Sequence, residues 1–198
     1  RWDPRDPRSA PPATYIPAVE HLMSAGFQVA HFGMHAMPDL VDKRGYVNIT
    51  SADKGLAFLH LFLLAKSSFL VTTQSGPGTL AMMLGTPVLT TNGTSIGRNV
   101  QSGGPGSRFL PKLHRASGRR LSLRETLSSR QAYWEPRSLH SIPATLQPQY
   151  NTPRQIFEAV DEMILNAAAG EDPPSPYGST IESIRETCGA VSYGRFSD

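Results

Sequence analysis

Apolar residues recur along the first 92 positions with two alternating spacings. In "TYIPAVEHLMSAG" (14–26), Tyr15, Ala18, Val19, Leu22 and Met23 are spaced to share one helical face, and Gly26 stands where a helix would stop. "FQVAHFG" (27–33) follows at once; its apolar and β-forming residues predict a buried strand that turns out at Gly33. "YVNIT" (46–50) predicts a second short strand. "KGLAFLHLFLLAKSS" (54–68) is apolar on most sides, which predicts a well-buried helix capped by Ser51 or Asp53. "FLVTT" (69–73), "GTLAMMLG" (78–85) and "PVLTT" (87–91) read as strand, helix and strand. The order helix, strand, strand, helix, strand, helix, strand is that of an α/β fold with a mainly parallel sheet and helices on both faces. Strand order is not readable from it.

The pattern then changes. Residues 92–118 are rich in Gly, Ser and Arg, carry "GGPG" at 103–106, and predict a long loop. "LSLRETLSS" (121–129) predicts a short helix, with Ser122 as its cap and Glu125 three residues on. "NTPRQIFEAVDEMILNAA" (151–168) predicts a firm helix. Asn151 or Thr152 caps it, Pro153 fits the first turn, and Ile156, Val160, Met163 and Ile164 form its stripe. "EDPPSP" (171–176) breaks structure, so residues 1–170 read as one domain and 171–198 as a tail or packing segment.

Composition narrows this reading. A chain of 198 residues fits one domain with appendages, and 17 Pro with 17 Gly imply much loop. The longest apolar run, "LAFLHLFLLA" (56–65), is too short to span a bilayer. The start has no apolar signal-peptide core and no initiator Met, so the chain is expected to be a processed form or the later part of a longer polypeptide. Cys188 is the only cysteine, which excludes an intrachain disulfide and suits a cytoplasmic location. The net charge of +3 is uneven. Between Arg98 and Arg137 eight Arg and one Lys stand against two Glu, a local +7, which leaves −4 elsewhere. Such a segment could meet phosphates, an anionic membrane surface or nucleic acid. A solvated surface explains it equally well, and no aromatic residues interleave as in single-strand binders. Nucleic acid therefore has only charge behind it, and a peripheral membrane contact stays open.

Candidate chemistry concentrates between strand 69–73 and the helix after it, at Ser75-Gly76-Pro77-Gly78-Thr79. A helix start leaves backbone N–H groups without partners, and the helix dipole adds partial positive charge there. Gly76 and Gly78 remove side chains that would block close approach, while Ser75 and Thr79 add hydroxyls. Such a turn can hold a phosphate, and the carboxyl end of a parallel strand is where open α/β sheets bind ligands. The plain alternative is an ordinary strand–helix connection. The spacing is neither that of a phosphate-binding P-loop nor that of a dinucleotide fingerprint. Thr73 stands where a hydrolase nucleophile elbow needs Gly. His31 and His35 are four apart, but Gly33 between them spoils a metal-binding helical face, so no metal is expected.

These elements, in this order, resemble the nucleotide-sugar half of two-domain glycosyltransferases of the GT-B type. Heptosyltransferases carry a similar strand, a Gly-Pro at the helix start, an Ala-rich helix, then Gly-x-Pro and a strand. The chain is more similar to a family of bacterial glycosyltransferases known mainly from sequence. The family's marks fall at Arg8, Tyr15, Ala18 and Leu22, at "VAHFG", Ser75-Gly76, Gly85-x-Pro87 and Asn92, and then at Lys112, Leu121–Glu125, Asn151, Thr152, Glu162 and Met163. The chain departs from it at His31, where members often have Arg, and near His60, where an acidic residue is usual. The resemblance implies a Rossmann-like domain equivalent to the carboxyl-terminal half of such an enzyme. It would bind a nucleoside-diphosphate sugar and transfer the sugar to an unknown acceptor, without metal or other cofactor. An amino-terminal half, on the same or another chain, would supply the acceptor site. On this reading Ser75, Gly76, Gly78 and Thr79 stabilise the leaving diphosphate. His31, Gly33 and Met34 face the cleft, with His31 the candidate general base. Asn48 to Ser51 lie near the nucleotide base, Asn92 follows the last strand, and Arg98 reaches an anion. The alternative is a domain that binds a nucleotide sugar, or acts as a scaffold, without catalysis.

Overall fold

The computed structural model describes residues 9–33, 37, 40, 43–50, 57–94, 106–122, 125–126 and 146–169. A 3-10 turn at Pro12–Tyr15 runs into helix α1 (Ile16–Ser24). Gly26, with φ at +89°, ends this segment in the left-handed conformation that glycine tolerates. Strands β1 (Val29–Gly33) and β2 (Tyr46–Thr50) come next, then helix α2 (Ala57–Lys66), strand β3 (Leu70–Thr72), helix α3 (Gly76–Met83) and strand β4 (Val88–Gly93). This is the order that the apolar spacing predicts. Strands β5 (Arg108–Pro111), β6 (Leu113–Ala116), β7 (Arg119–Arg120) and β8 (Leu146–Gln149) precede helix α4 (Pro153–Ala169).

β3, β4 and β5 form a parallel sheet with β4 in the middle. Every residue of β4 is buried, as befits a strand covered on both faces. Leu89 packs with Ala18 and Leu22 of α1 and with Ile156, Val160 and Met163 of α4. Its neighbour Val88 packs with Leu64 of α2 and Ala81 of α3. Successive strand residues point to opposite faces, so α1 and α4 cover one face while α2 and α3 cover the other. The chain is therefore α/β, with mostly parallel pairing. No described helix is long and apolar enough to cross a membrane.

Three expectations need correction. The parallel strands do not join in one ladder: β1 pairs with β2, in register His31 with Asn48 and Gly33 with Thr50, apart from β3–β4–β5. β3 is only three residues long and forms its ladder with β4; just ahead of β1 and β3, Phe27 meets Phe69 edge-on at 5.7 Å. The stretch expected as a long loop holds β5 and most of a hairpin. β6 pairs antiparallel with both β7 and β8, and Ser117 and Gly118 form the two-residue turn, both with positive φ. Finally, α2 is not well buried: Leu64 is its one buried residue among those described, and both of its phenylalanines face outward.

Both capping patterns form. Thr152, not Asn151, caps α4: Gln155 N–H donates to Thr152 Oγ1 at 3.2 Å, and Thr152 N–H donates to Gln155 Oε1 at 2.9 Å. Ser122 and Glu125 make the same reciprocal pair, at 3.2 and 2.8 Å. The rest of the helix expected at 121–129, the cap expected at Ser51 or Asp53, and the segment 171–198 lie outside the described residues.

Candidate functional site at the start of helix α3

β3 ends at Thr72 and α3 begins at Gly76, so three residues turn the chain from sheet to helix. Ser75 occupies the cap position with extended backbone, but its hydroxyl does not cap the helix. It lies 2.9 Å from Thr72 Oγ1 instead. Pro77 stands in the first turn and has no N–H. Thr79 N–H reaches back to Ser75 O at 3.3 Å. The helix start thus presents the N–H groups of Gly76 and Gly78.

The two glycines differ in kind. A Cβ at Gly76 would meet no heavy atom within 4 Å, so the space beside it is open. A Cβ at Gly78 would lie 3.1 Å from Thr72 Cγ2. Gly78 is buried and lets α3 seat closely on β3, whereas Gly76 is exposed and leaves room for an incoming group.

A directed chain of hydrogen bonds holds this turn. Thr91 Oγ1 donates to Thr72 O at 3.1 Å, so the Tyr15 hydroxyl, 2.6 Å away, donates to Thr91. Tyr15 in turn accepts from Asn92 Nδ2 at 3.0 Å. Asn92 and Asn151 are both buried and clasp reciprocally: Asn92 N–H donates to Asn151 Oδ1 at 2.5 Å, and Asn151 N–H donates to Asn92 Oδ1 at 2.8 Å. Asn151 Nδ2 also donates to Pro111 O at 2.9 Å. Asn92 has φ at +51°, a conformation that asparagine accepts more readily than most residues. Burial pushes the Tyr15 phenol above its ordinary value, against the lowering by Thr91 and Asn92, so it stays a donor. One step further, Gln74 Oε1 accepts from Thr94 N–H at 3.1 Å and from Thr94 Oγ1 at 2.9 Å. The loops after β3 and β4 are pinned together at the carboxyl edge of the sheet.

Asn92 is therefore a clasp, with its side chain engaged at both ends, and it touches the Ser75 turn only through Tyr15, Thr91 and Thr72. The sequence gives little notice of this network. Thr72 and Thr91 read as strand residues; the available signal is a hydroxyl at the end of each of two neighbouring apolar strands.

His31 and Gly33 belong to the β1–β2 pair. Tyr46 Oη lies 2.8 Å from His31 Nδ1, and the Met37 backbone N–H also reaches that phenol. Either the phenol or the Nδ1 N–H can supply the proton of this bond, according to the tautomer of His31. Burial lowers the His31 pKa, with the Asn48 side chain acting in the opposite sense, so the ring is neutral at pH 7. Gly33 lies opposite Thr50 at the last step of the ladder. Thr79 is exposed on α3. Met34, His35 and Arg98 lie outside the described residues. Among the described residues no group of three His, Cys, Asp or Glu gathers as a metal site would need.

Comparison of the chain with family models, with curated proteins and with solved structures gives no match.

Proposed function

We propose that the chain is the donor-binding, Rossmann-like half of a GT-B-type glycosyltransferase, taking a sugar from a nucleoside-diphosphate sugar. The observation that carries this reading is the start of α3: open space and two backbone N–H groups at the carboxyl end of a parallel strand. As a nucleoside diphosphate leaves, charge grows on the oxygen released from the sugar carbon. Fixed N–H groups and the helix dipole stabilise that charge without reorganising. The order of sequence elements described above supports the same assignment.

Binding without transfer is the second reading. It is favoured by Tyr15, Asn92 and Asn151, which mark the family resemblance and here serve to hold backbone together.

Calorimetric titration with uridine, guanosine and thymidine diphosphates tests the proposal. Wild type should bind one of them. Ser75→Ala should lose about 1.5–3 kcal/mol of binding, the worth of a charge-assisted hydrogen bond. Gly76→Val should lose more. Its side chain enters open space, so melting should stay near wild type while the approach of phosphate is blocked. Equal binding by a folded Gly76→Val protein would place the diphosphate elsewhere.

A further inference from the structure

α2 and α3 each show two apolar stripes. Inward, Leu64 of α2 and Ala81 of α3 meet Val88 of β4. Outward, α2 carries Phe58, Leu61 and Phe62, and α3 with its cap residue carries Leu80, Met83 and Leu84, each set at the i, i+3, i+4 spacing of one helical face. These six residues are exposed: Phe58 by 77%, Phe62 by 50% and Met83 by 80%. The two helices contact each other, and in the turn after α3 Thr86 Oγ1 donates to Leu64 O of α2 at 2.6 Å. A helix that is apolar all round belongs in an interior.

We propose that this α2–α3 face is the contact between two copies of the chain, closed by a two-fold axis into a four-helix seam. Area supports a second copy. With about 200 Å² for a whole aromatic side chain, the six residues expose on the order of 600 Å². That is at the upper end for the largest apolar patch of a monomer. Two copies would bury about 1,200 Å², the lower end of a stable interface. Charge supports it as well. Between Ala57 and Lys66 and between Gly76 and Met83 there is no acidic residue, and Lys66, at the end of α2, is the one fixed charge. Two such faces meet without like charges opposed at their centre. An isologous contact needs a surface that complements itself, and paired apolar stripes satisfy that. A membrane-surface helix instead carries many Lys and Arg on its polar side, which α2 lacks.

Sedimentation equilibrium of the full chain between about 1 and 50 µM decides the matter. The expected mass is twice 21.5 kDa. Phe58→Glu and Met83→Glu each change an exposed position and should weaken the dimer at least tenfold, while circular dichroism and melting of the monomer show the fold kept. A wild-type chain that stays at 21.5 kDa overturns the proposal, as does a dimer that survives both substitutions. A polydisperse aggregate in place of a defined dimer also overturns it. So does a monomer that sediments with phosphatidylserine vesicles through the same residues, which would assign the face to lipid.

Discussion

At the scale of single residues, the amide of Asn151 does the most for the least sequence signal. It satisfies the Asn92 N–H and the Pro111 carbonyl, two backbone groups 19 residues apart. Asn151→Ala would leave both without that partner, and buried unpaired groups are costly. The expected loss is about 2–4 kcal/mol in urea unfolding. Tyr15→Phe keeps the ring, removes the bond to Thr91 Oγ1, which still has Thr72 O as a partner, and leaves one amide proton of Asn92 without its acceptor, so its loss should be about 1–2 kcal/mol. A reversed order would show that Tyr15, not the asparagine clasp, carries the junction. Apart from its place in the family resemblance, Asn151 reads from sequence as one of two caps for α4. A long-range clasp leaves no spacing to read, because its partner lies 59 positions away.

At the scale of elements, local rules are legible and edges less so. Both capping boxes follow from a hydroxyl and a carboxylate or amide three residues apart, because the interaction is contained within four residues. The hairpin β6–β7 is missed and its stretch reads as a loop: Ser117-Gly118 is a turn signal, but Arg, His and Ala around it give no apolar alternation to mark the strands. α2 misleads because apolar content predicts burial without saying what does the burying. The hairpin also yields a pH prediction. Two hydrogen bonds from Arg119, together with the Ser122 N–H and hydroxyl, hold the Glu125 carboxyl at about 2, below its ordinary 4.5. A carboxyl lowered in the folded state contributes its stabilisation above the ordinary value and loses it as pH falls through the folded one. The tie between β7 and the Ser122 turn should thus persist through pH 4 and release near pH 2. A carbon-detected NMR titration of Glu125 checks this. Arg119→Ala should return the midpoint towards 4.5; a wild-type midpoint already there would mean the pair does not form in solution.

At the scale of the whole molecule, the parallel strands and the helix packing put the α3 start at the carboxyl edge of the β3–β4–β5 sheet. That much was legible from the alternation of periods up to residue 92, because each helix and strand repeats its own period over several residues. If the proposed function holds, a bound nucleotide sugar meets protein on one side of its reacting carbon. Transfer requires the acceptor to be held within reach of that carbon and oriented, and lost positioning can cost several orders of magnitude in rate. The 198-residue chain alone is therefore expected to bind a diphosphate yet transfer sugar to added acceptors no faster than background. Released nucleoside diphosphate, measured by a coupled assay over hours, reads this directly. Turnover at about 1 per second or faster, the range of ordinary enzymes, would show that these residues hold both reactants and that the acceptor site lies within this chain.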